Sequence, residues 1–176
     1  MPIHLYQSRK VKRYLGDHIY MDSPWPEEQI DPLTIWYVDV FFINRARYLV
    51  LANPLTKLTF FVFKYSRKTH KDFLETFHQN LSVSIRAGGI DPTLYLQKCE
   101  LFVPYTQTNR SATAHLSRIK QDYEYSIASD LEEMPVEIAE NQFNTKIIRN
   151  PCSFGGPGFD MPIRRFHHEL LLRRWV

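Results

Sequence analysis

The stretch Trp36–Phe63, WYVDVFFINRARYLVLANPLTKLTFFVF, decides the fold. It reads as three consecutive apolar strands joined by two short polar turns. The first strand spans Ile35–Ile43. Trp36, Val38, Val40 and Phe42 alternate onto one face, and Ile35, Tyr37, Phe41 and Ile43 onto the other. Apolar side chains on both faces mean a central strand covered from both sides. Asp39 interrupts the pattern, and a carboxylate among such neighbours needs a partner or an opening, because burying it unpaired is costly. Residues 44–47 (NRAR) form the first turn, Tyr48–Ala52 the second strand, Asn53-Pro54 the second turn, and Thr56–Phe63 the third strand. Turns this short join antiparallel neighbours, so the core begins as a meander.

Outward from the meander the period changes from two to nearly four. Thr69 stands where a cap would open a helix to Ala87, with Phe73, Phe77, Leu81 and Ile85 forming one apolar stripe and Leu74 beside them. Asp72 and Glu75 lie in its first turns and Arg86 in its last, as the helix dipole favours, and Gly88-Gly89 stops it. A further turn of helix follows Pro92 over 91–96, and a fourth strand covers 97–104. A second long helix covers 110–128, with Ala112, Leu116, Ile119 and Tyr123 on its buried side. Upstream, residues 1–32 read as an N-terminal arm. It holds a short strand at 3–6, Ser8 as the cap of a basic helix to Leu15, Gly16 as its stop, and a loop over 22–32 containing Pro24, Pro26 and Pro32. Downstream, 137–148 admits helix or strand, 151–162 is loop, and 167–175 is a terminal helix, so 141–176 reads as a C-terminal extension packed on the rest. The expected fold is a single α+β domain over 1–176. Its sheet is mostly antiparallel, a three-strand meander plus one later strand, covered by two main helices.

Composition agrees with a globular domain: of 176 residues 44% are hydrophobic and 23% charged, which excludes wholesale disorder. The net charge is only +3, but it is unevenly spread. Arg9, Lys10, Lys12 and Arg13 crowd the start, Lys64, Arg67, Lys68 and Lys71 follow the meander, and Arg164, Arg165, Arg173 and Arg174 mark the end. Asp130, Glu132, Glu133, Glu137 and Glu140 make an acidic run between them. Such basic clusters serve as phosphate-binding surface or as the solvated sides of elements. Cys99 and Cys152 form no CxxC pair, which argues against a zinc site and a disulfide scaffold. No metal or other cofactor is expected. The N-terminus lacks the apolar core of a signal peptide and no apolar run approaches a membrane span, so the expectation is a cytoplasmic protein without a membrane partner.

The polar segment with the most chemistry is Thr106–Ser111, TQTNRS, between a strand and a helix. Thr108 or Asn109 can cap that helix with a side-chain oxygen, which brings the first free backbone N–H groups and Arg110 together. Helix N-termini receive anions in this way, and arginine offers a planar fork to phosphate or carboxylate. The plainer reading makes the segment a cap and pairs Arg110 with an internal carboxylate such as Asp39. On the functional reading the cluster, with Arg45 or Arg47, contacts phosphate or nucleic acid. His115 lies one turn past Arg110 and either reaches the same cleft or is a partly buried structural histidine. His167-His168 point to different sides of a helix and do not suit one metal, and His70 and His78 read as surface residues. Gly155–Gly158 lacks the GK[ST] of a phosphate loop. The aromatic runs alternate with aliphatics and read as core rather than as a base-stacking platform.

The order of these features resembles a widespread family of small bacterial domains of unknown function. That pattern is a Trp followed three residues later by Asn, an Arg-containing turn, an apolar strand ending in Asn, a Thr shortly after, and a Thr-x-Asn-Arg-Ser segment opening a helix. It resembles Trp36, Arg45 or Arg47, Asn53, Thr56 and Thr108-Asn109-Arg110-Ser111 here, with Thr106 as the alternative Thr and Asp39 standing in place of the Asn. The resemblance implies one domain with these boundaries and gives weight to the cluster that holds Thr108, Asn109, Arg110 and Ser111, and it implies no activity; Asn53 is carried as a candidate site residue beside them. The leading expectation is an interaction module that is not an enzyme. Its basic and polar face around Arg110 would contact nucleic acid, or another phosphate-bearing or acidic partner such as an acidic protein. One rival is an enzyme acting on a phosphorylated or nucleic-acid substrate, with Asp39, Arg110 and His115 sharing a cleft. Another is binding to a protein alone, in an antitoxin- or immunity-like role.

Overall fold

The alternation at Ile35–Ile43 builds a strand over those same nine residues in the computed structural model, which describes residues 1–15, 30–106, 109–154 and 158–176. The described strands are β1 (Pro2–Gln7), β2 (Ile35–Ile43), β3 (Ala46–Ala52), β4 (Thr59–Val62) and β5 (Leu101–Thr106). The described helices are α1 (Arg9–Leu15), α2 (Phe73–Ala87), α3 (Thr93–Lys98), α4 (Arg110–Glu133), α5 (Val136–Ile147) and α6 (Pro162–Arg173). The meander is present: β3 pairs antiparallel with both β2 and β4. Its first turn is the two-residue loop Asn44-Arg45, with φ of 48° and 67°, the left-handed pair whose twist matches a hairpin. The β4 strand is shorter than the expected Thr56–Phe63. Asn53 Oδ1 accepts from both the N–H and the hydroxyl of Thr56, each at 3.0 Å, and draws that residue into the turn.

The sheet as a whole is not mostly antiparallel. It is mixed, with strand order β4-β3-β2-β1-β5, and β1 runs parallel to both β2 and β5. Short turns dictate antiparallel pairing only inside the meander. The connections from β1 to β2 and from β4 to β5 are long and contain helices, which is what parallel strands require. Residues 2–7 of the expected arm are therefore an interior strand, with Ile3 and Leu5 fully buried. The fourth strand starts at Leu101 rather than at residue 97, because 93–98 is α3, opened by Asp91 accepting from Thr93 N at 3.0 Å. Asp72, not Thr69, caps α2, accepting from Leu74 N and Glu75 N at 2.8 and 3.1 Å. The Thr69 hydroxyl is engaged with Ser66 Oγ at 2.7 Å. Segment 137–148 is mainly helix α5, and the terminal helix starts at Pro162 rather than His167. Gly16, residues 22–29 of the expected loop, Thr108 and Gly155–Pro157 lie outside the described residues.

Successive strand residues point to opposite faces, and the contacts sort the helices accordingly. On the face carrying Trp36 and Phe42 lie α1 and α2: Trp36 meets Phe77 edge-on at 5.3 Å, and Phe42 meets Tyr14 at 6.0 Å. The face carrying Asp39 and Phe61 packs against α4 and α5, with Phe61 edge-on to Phe143 at 5.2 Å. Tyr95 of α3 ties the first layer down, accepting from Trp36 Nε1 at 3.0 Å and donating to Leu33 O at 2.9 Å. An unpaired edge invites further strands, and α5 closes the β4 edge with side chains. Asn144 Oδ1 accepts from Phe61 N at 2.7 Å, Asn144 Nδ2 donates to Phe61 O at 2.9 Å, and Glu140 accepts from Phe63 N.

Candidate functional site

The parallel strands bring two helix starts together. Gln7 and Thr106 are paired in register at the carboxyl ends of β1 and β5. Ser8 follows Gln7 directly and accepts from Val11 N at 3.3 Å, so α1 opens at Arg9. Asn109 caps α4, its Oδ1 accepting from Ala112 N at 3.1 Å, so α4 opens at Arg110. The two helices then pack on opposite faces of the sheet. Neighbouring parallel strands whose following helices diverge leave a crevice outside their carboxyl ends, the place where open α/β sheets hold ligands.

That crevice is lined by Gln7, Ser8, Arg9, Lys12, Tyr105 and Thr106 and has a volume of about 100 Å³. On the Asp39 face of the same strand ends a cross-strand stack forms, Tyr37 on Tyr6 at 5.0 Å and Tyr6 on Tyr105 at 4.9 Å. Burial raises the pKa of Tyr37, opposed by a hydrogen bond from the Asn109 side chain, so the α4 cap is anchored to the same stack. Gln7 is buried, and its Oε1 has no hydrogen-bond partner among the described residues.

The expected site residues divide into three groups. Asn109 caps α4, Arg110 and Ser111 open it, and all three are exposed; Thr108 lies outside the described residues. Arg45 is exposed at the β2–β3 hairpin tip, and Arg47 is half-buried with its guanidinium 3.8 Å over the Tyr14 ring. Arg47 therefore packs against α1. Asn53 is fully buried, and its amide donates to Pro32 O, Leu33 O and Ile35 O at 3.2, 3.2 and 2.8 Å. Its polar atoms hold the turn and the entry to β2.

Asp39 does not meet Arg110. Its carboxylate pairs with Lys120 Nζ and accepts from Val40 N at 2.8 Å. Lys120 is ten residues along α4 from Arg110, about 15 Å at the helical rise. His115 lies between them in sequence but about 140° around the axis from each. Its pKa falls to about 4, first because of burial and then through Lys57 and Arg118, so its imidazole is neutral at pH 7. The Cys152 thiol is raised by burial, with the same two cations opposing. His78 and His70, expected at the surface, are half-buried; His78 Nε2 lies 2.7 Å from Cys99 O. The Asp39–Lys120 side chains are 18% and 20% exposed, between a surface pair and a buried one. Lys120→Met is therefore expected to cost about 2 kcal/mol. Adding Asp39→Asn should recover most of it, since an amide keeps the Val40 bond without needing a cation; denaturant unfolding of the two variants checks both.

Sequence reasoning saw Ser8 as a cap and Arg9 and Lys12 as part of a basic run, but not their place in the sheet. Nothing local to residues 1–15 reveals that β1 pairs with β5. Glu140 stands in the sequence as one of an acidic run, and nothing near it marks its bond to Phe63 N, 77 residues away, at the β4 edge.

A family model described as a domain of unknown function, DUF6933, matches residues 5–165, and the chain belongs to that family. No curated protein and no solved structure matches it.

Proposed function

We propose that this DUF6933 chain is a non-enzymatic binding module whose partner carries phosphate, with a nucleic-acid strand as the first version to test. One observation carries the reading: Arg9 and Arg110 open the helices that follow the neighbouring parallel strands β1 and β5, and Arg9 lines a polar crevice at the carboxyl ends of those strands. Lys10, Lys12 and Arg13 extend the positive surface along α1, all of them exposed. Cations gathered at one edge suit a polyanion, because each neutralised phosphate releases condensed counterions. Asp39 on β2 pairs with Lys120, and His115 lies about 140° around α4 from Arg110, so among the described residues the three do not share a cleft, which favours recognition over turnover.

Fluorescence anisotropy of a labelled single-stranded oligonucleotide tests this. Affinity should fall steeply between about 50 and 200 mM salt. Arg9→Ala and Arg110→Ala should each weaken binding to all sequences alike and lower the salt slope by roughly one unit. Binding that ignores salt, or its absence, overturns the nucleic-acid version and leaves an acidic protein partner as the reading to pursue.

A further inference from the structure

A second cavity lies under the far end of α4. Ala128 stands about 27 Å along that helix from Arg110. There Ala128 and Leu131 line a space of about 400 Å³ together with Ile43, Ala46 and Tyr48, which share the Asp39 face of the β2–β3 hairpin. Sites for small molecules begin at ~300 Å³. The walls are apolar, and Tyr48 brings them one polar group. Its ring is held between Phe41 and Phe63, at 5.4 Å from each, and the residue is 1% exposed. Its hydroxyl bonds to no described residue, yet it is not among the sealed partnerless atoms, which are Gln7 Oε1, Arg47 Nε and His115 Nε2. The little surface that Tyr48 keeps therefore includes its hydroxyl, and the cavity is the space that Tyr48 lines. Burial raises the phenol pKa, so the oxygen keeps its proton at neutral pH and has a donor to offer.

Two opposite charges border the same space from its two walls, Lys64 just past β4 and Glu132 in the last turn of α4. Both are exposed, and neither joins an ion pair among the described residues. That last turn carries no basic residue, so the negative end of the helix dipole adds to Glu132 in favouring a cation. We infer that this cavity binds a free α-amino acid with an apolar side chain. The side chain lies against Ile43, Ala46 and Leu131, the carboxylate accepts from Tyr48 Oη and pairs with Lys64, and the ammonium pairs with Glu132. A fatty acid would set its carboxylate beside Glu132, and a simple amine would leave Lys64 and the Tyr48 donor unmatched. One zwitterion satisfies all three groups. The site is independent of the basic corner, so oligonucleotide binding there neither supports nor weakens it.

Thermal unfolding of the full chain with roughly 10 mM L-leucine or glycine reads the binding directly. Leucine is expected to raise Tm by about 3 °C, and glycine, without an apolar side chain, by less than about 1 °C. Leucinamide lacks the carboxylate and isocaproate lacks the ammonium, and calorimetry should find each bound about tenfold more weakly than leucine. Variants at the two exposed positions assign the charges. Glu132→Gln should weaken leucine without weakening isocaproate, and Lys64→Gln should weaken leucine without weakening leucinamide. Tyr48→Phe should weaken leucine about tenfold and leave the ligand-free Tm within about 1 °C of the parent, since it removes no internal bond. Absence of a leucine response, glycine equal to leucine, or leucinamide or isocaproate binding as tightly as leucine overturns the inference. So do Lys64 and Glu132 variants that weaken every ligand alike, and a Tyr48→Phe chain that binds leucine as the parent does.

Discussion

Asn53→Ala is expected to cost about 3 kcal/mol and to lower the melting temperature by roughly 6–12 °C. The side chain is fully buried, and both ends of its amide are in use. Nδ2 binds Pro32 O, Leu33 O and Ile35 O, while Oδ1 accepts from Thr56 N and Thr56 Oγ1. One residue thus joins the segment entering β2 to the turn between β3 and β4. Alanine leaves those carbonyls and the Thr56 donors buried without partners, and each orphaned group is worth about 1–3 kcal/mol. Some relaxation and water entry reduce the sum. Asn53→Asp should be at least as damaging, because it keeps the acceptor but sets a second oxygen against carbonyls that had received an N–H. Thr56→Val removes a hydroxyl that donates to Asn53 Oδ1 at 3.0 Å and accepts from Leu58 N at 3.3 Å, and should cost about 1–2 kcal/mol. The ordering of the three variants in thermal and urea unfolding is the measurement. An Asn53→Ala protein melting within about 2 °C of the parent would falsify this account of the turn.

Asn53 also shows where sequence reasoning succeeds. The two tight turns and the alternation of Trp36–Phe63 are local signals, so the meander follows from residues a few positions apart. Asn109 as a helix cap is local in the same sense. Asp39 announced that it needed a partner, but the partner is Lys120, 81 residues away, and a lysine on a helix flank carries no mark of which carboxylate it will meet. The parallel half of the sheet was hidden more deeply. Residues 2–7 form a short strand whose placement between β2 and β5 depends on two long crossovers, and neither pairing leaves a trace in the segment itself. The crevice exists only because of that placement. Its residues were visible as a cap and a basic run, while their convergence was not.

Glu140→Gln is expected to stabilise the protein above pH 7 and to make no difference near pH 4.5. Glu140 accepts from Phe63 N where α5 closes the β4 edge. Burial raises its pKa from 4.5 to about 7, against the opposing bonds from Phe63 N and the Asn80 side chain, and the charge of Glu137 adds to the rise. In the unfolded chain the carboxyl titrates near its ordinary value. Between pH 4.5 and about 7 the folded state therefore holds a proton that the unfolded state has lost, and stability falls as pH rises through that window. Above it the penalty is complete, about 3 kcal/mol for a shift of this size. Glutamine keeps an oxygen for Phe63 N and never acquires a charge, so the variant should gain up to that amount at pH 8. His4 and His115, each lowered to about 4 mainly by burial, tilt the same curve the other way between about pH 4 and 6.5. The parent's own profile blends these slopes, and only the difference between parent and variant isolates the carboxyl. Urea unfolding of both proteins at half-unit steps from about pH 4.5 to 8 should give curves that meet at the acid end and diverge steadily to neutrality. Curves that stay parallel would mean that folding leaves the proton affinity of this carboxyl unchanged, and would overturn the account of its burial.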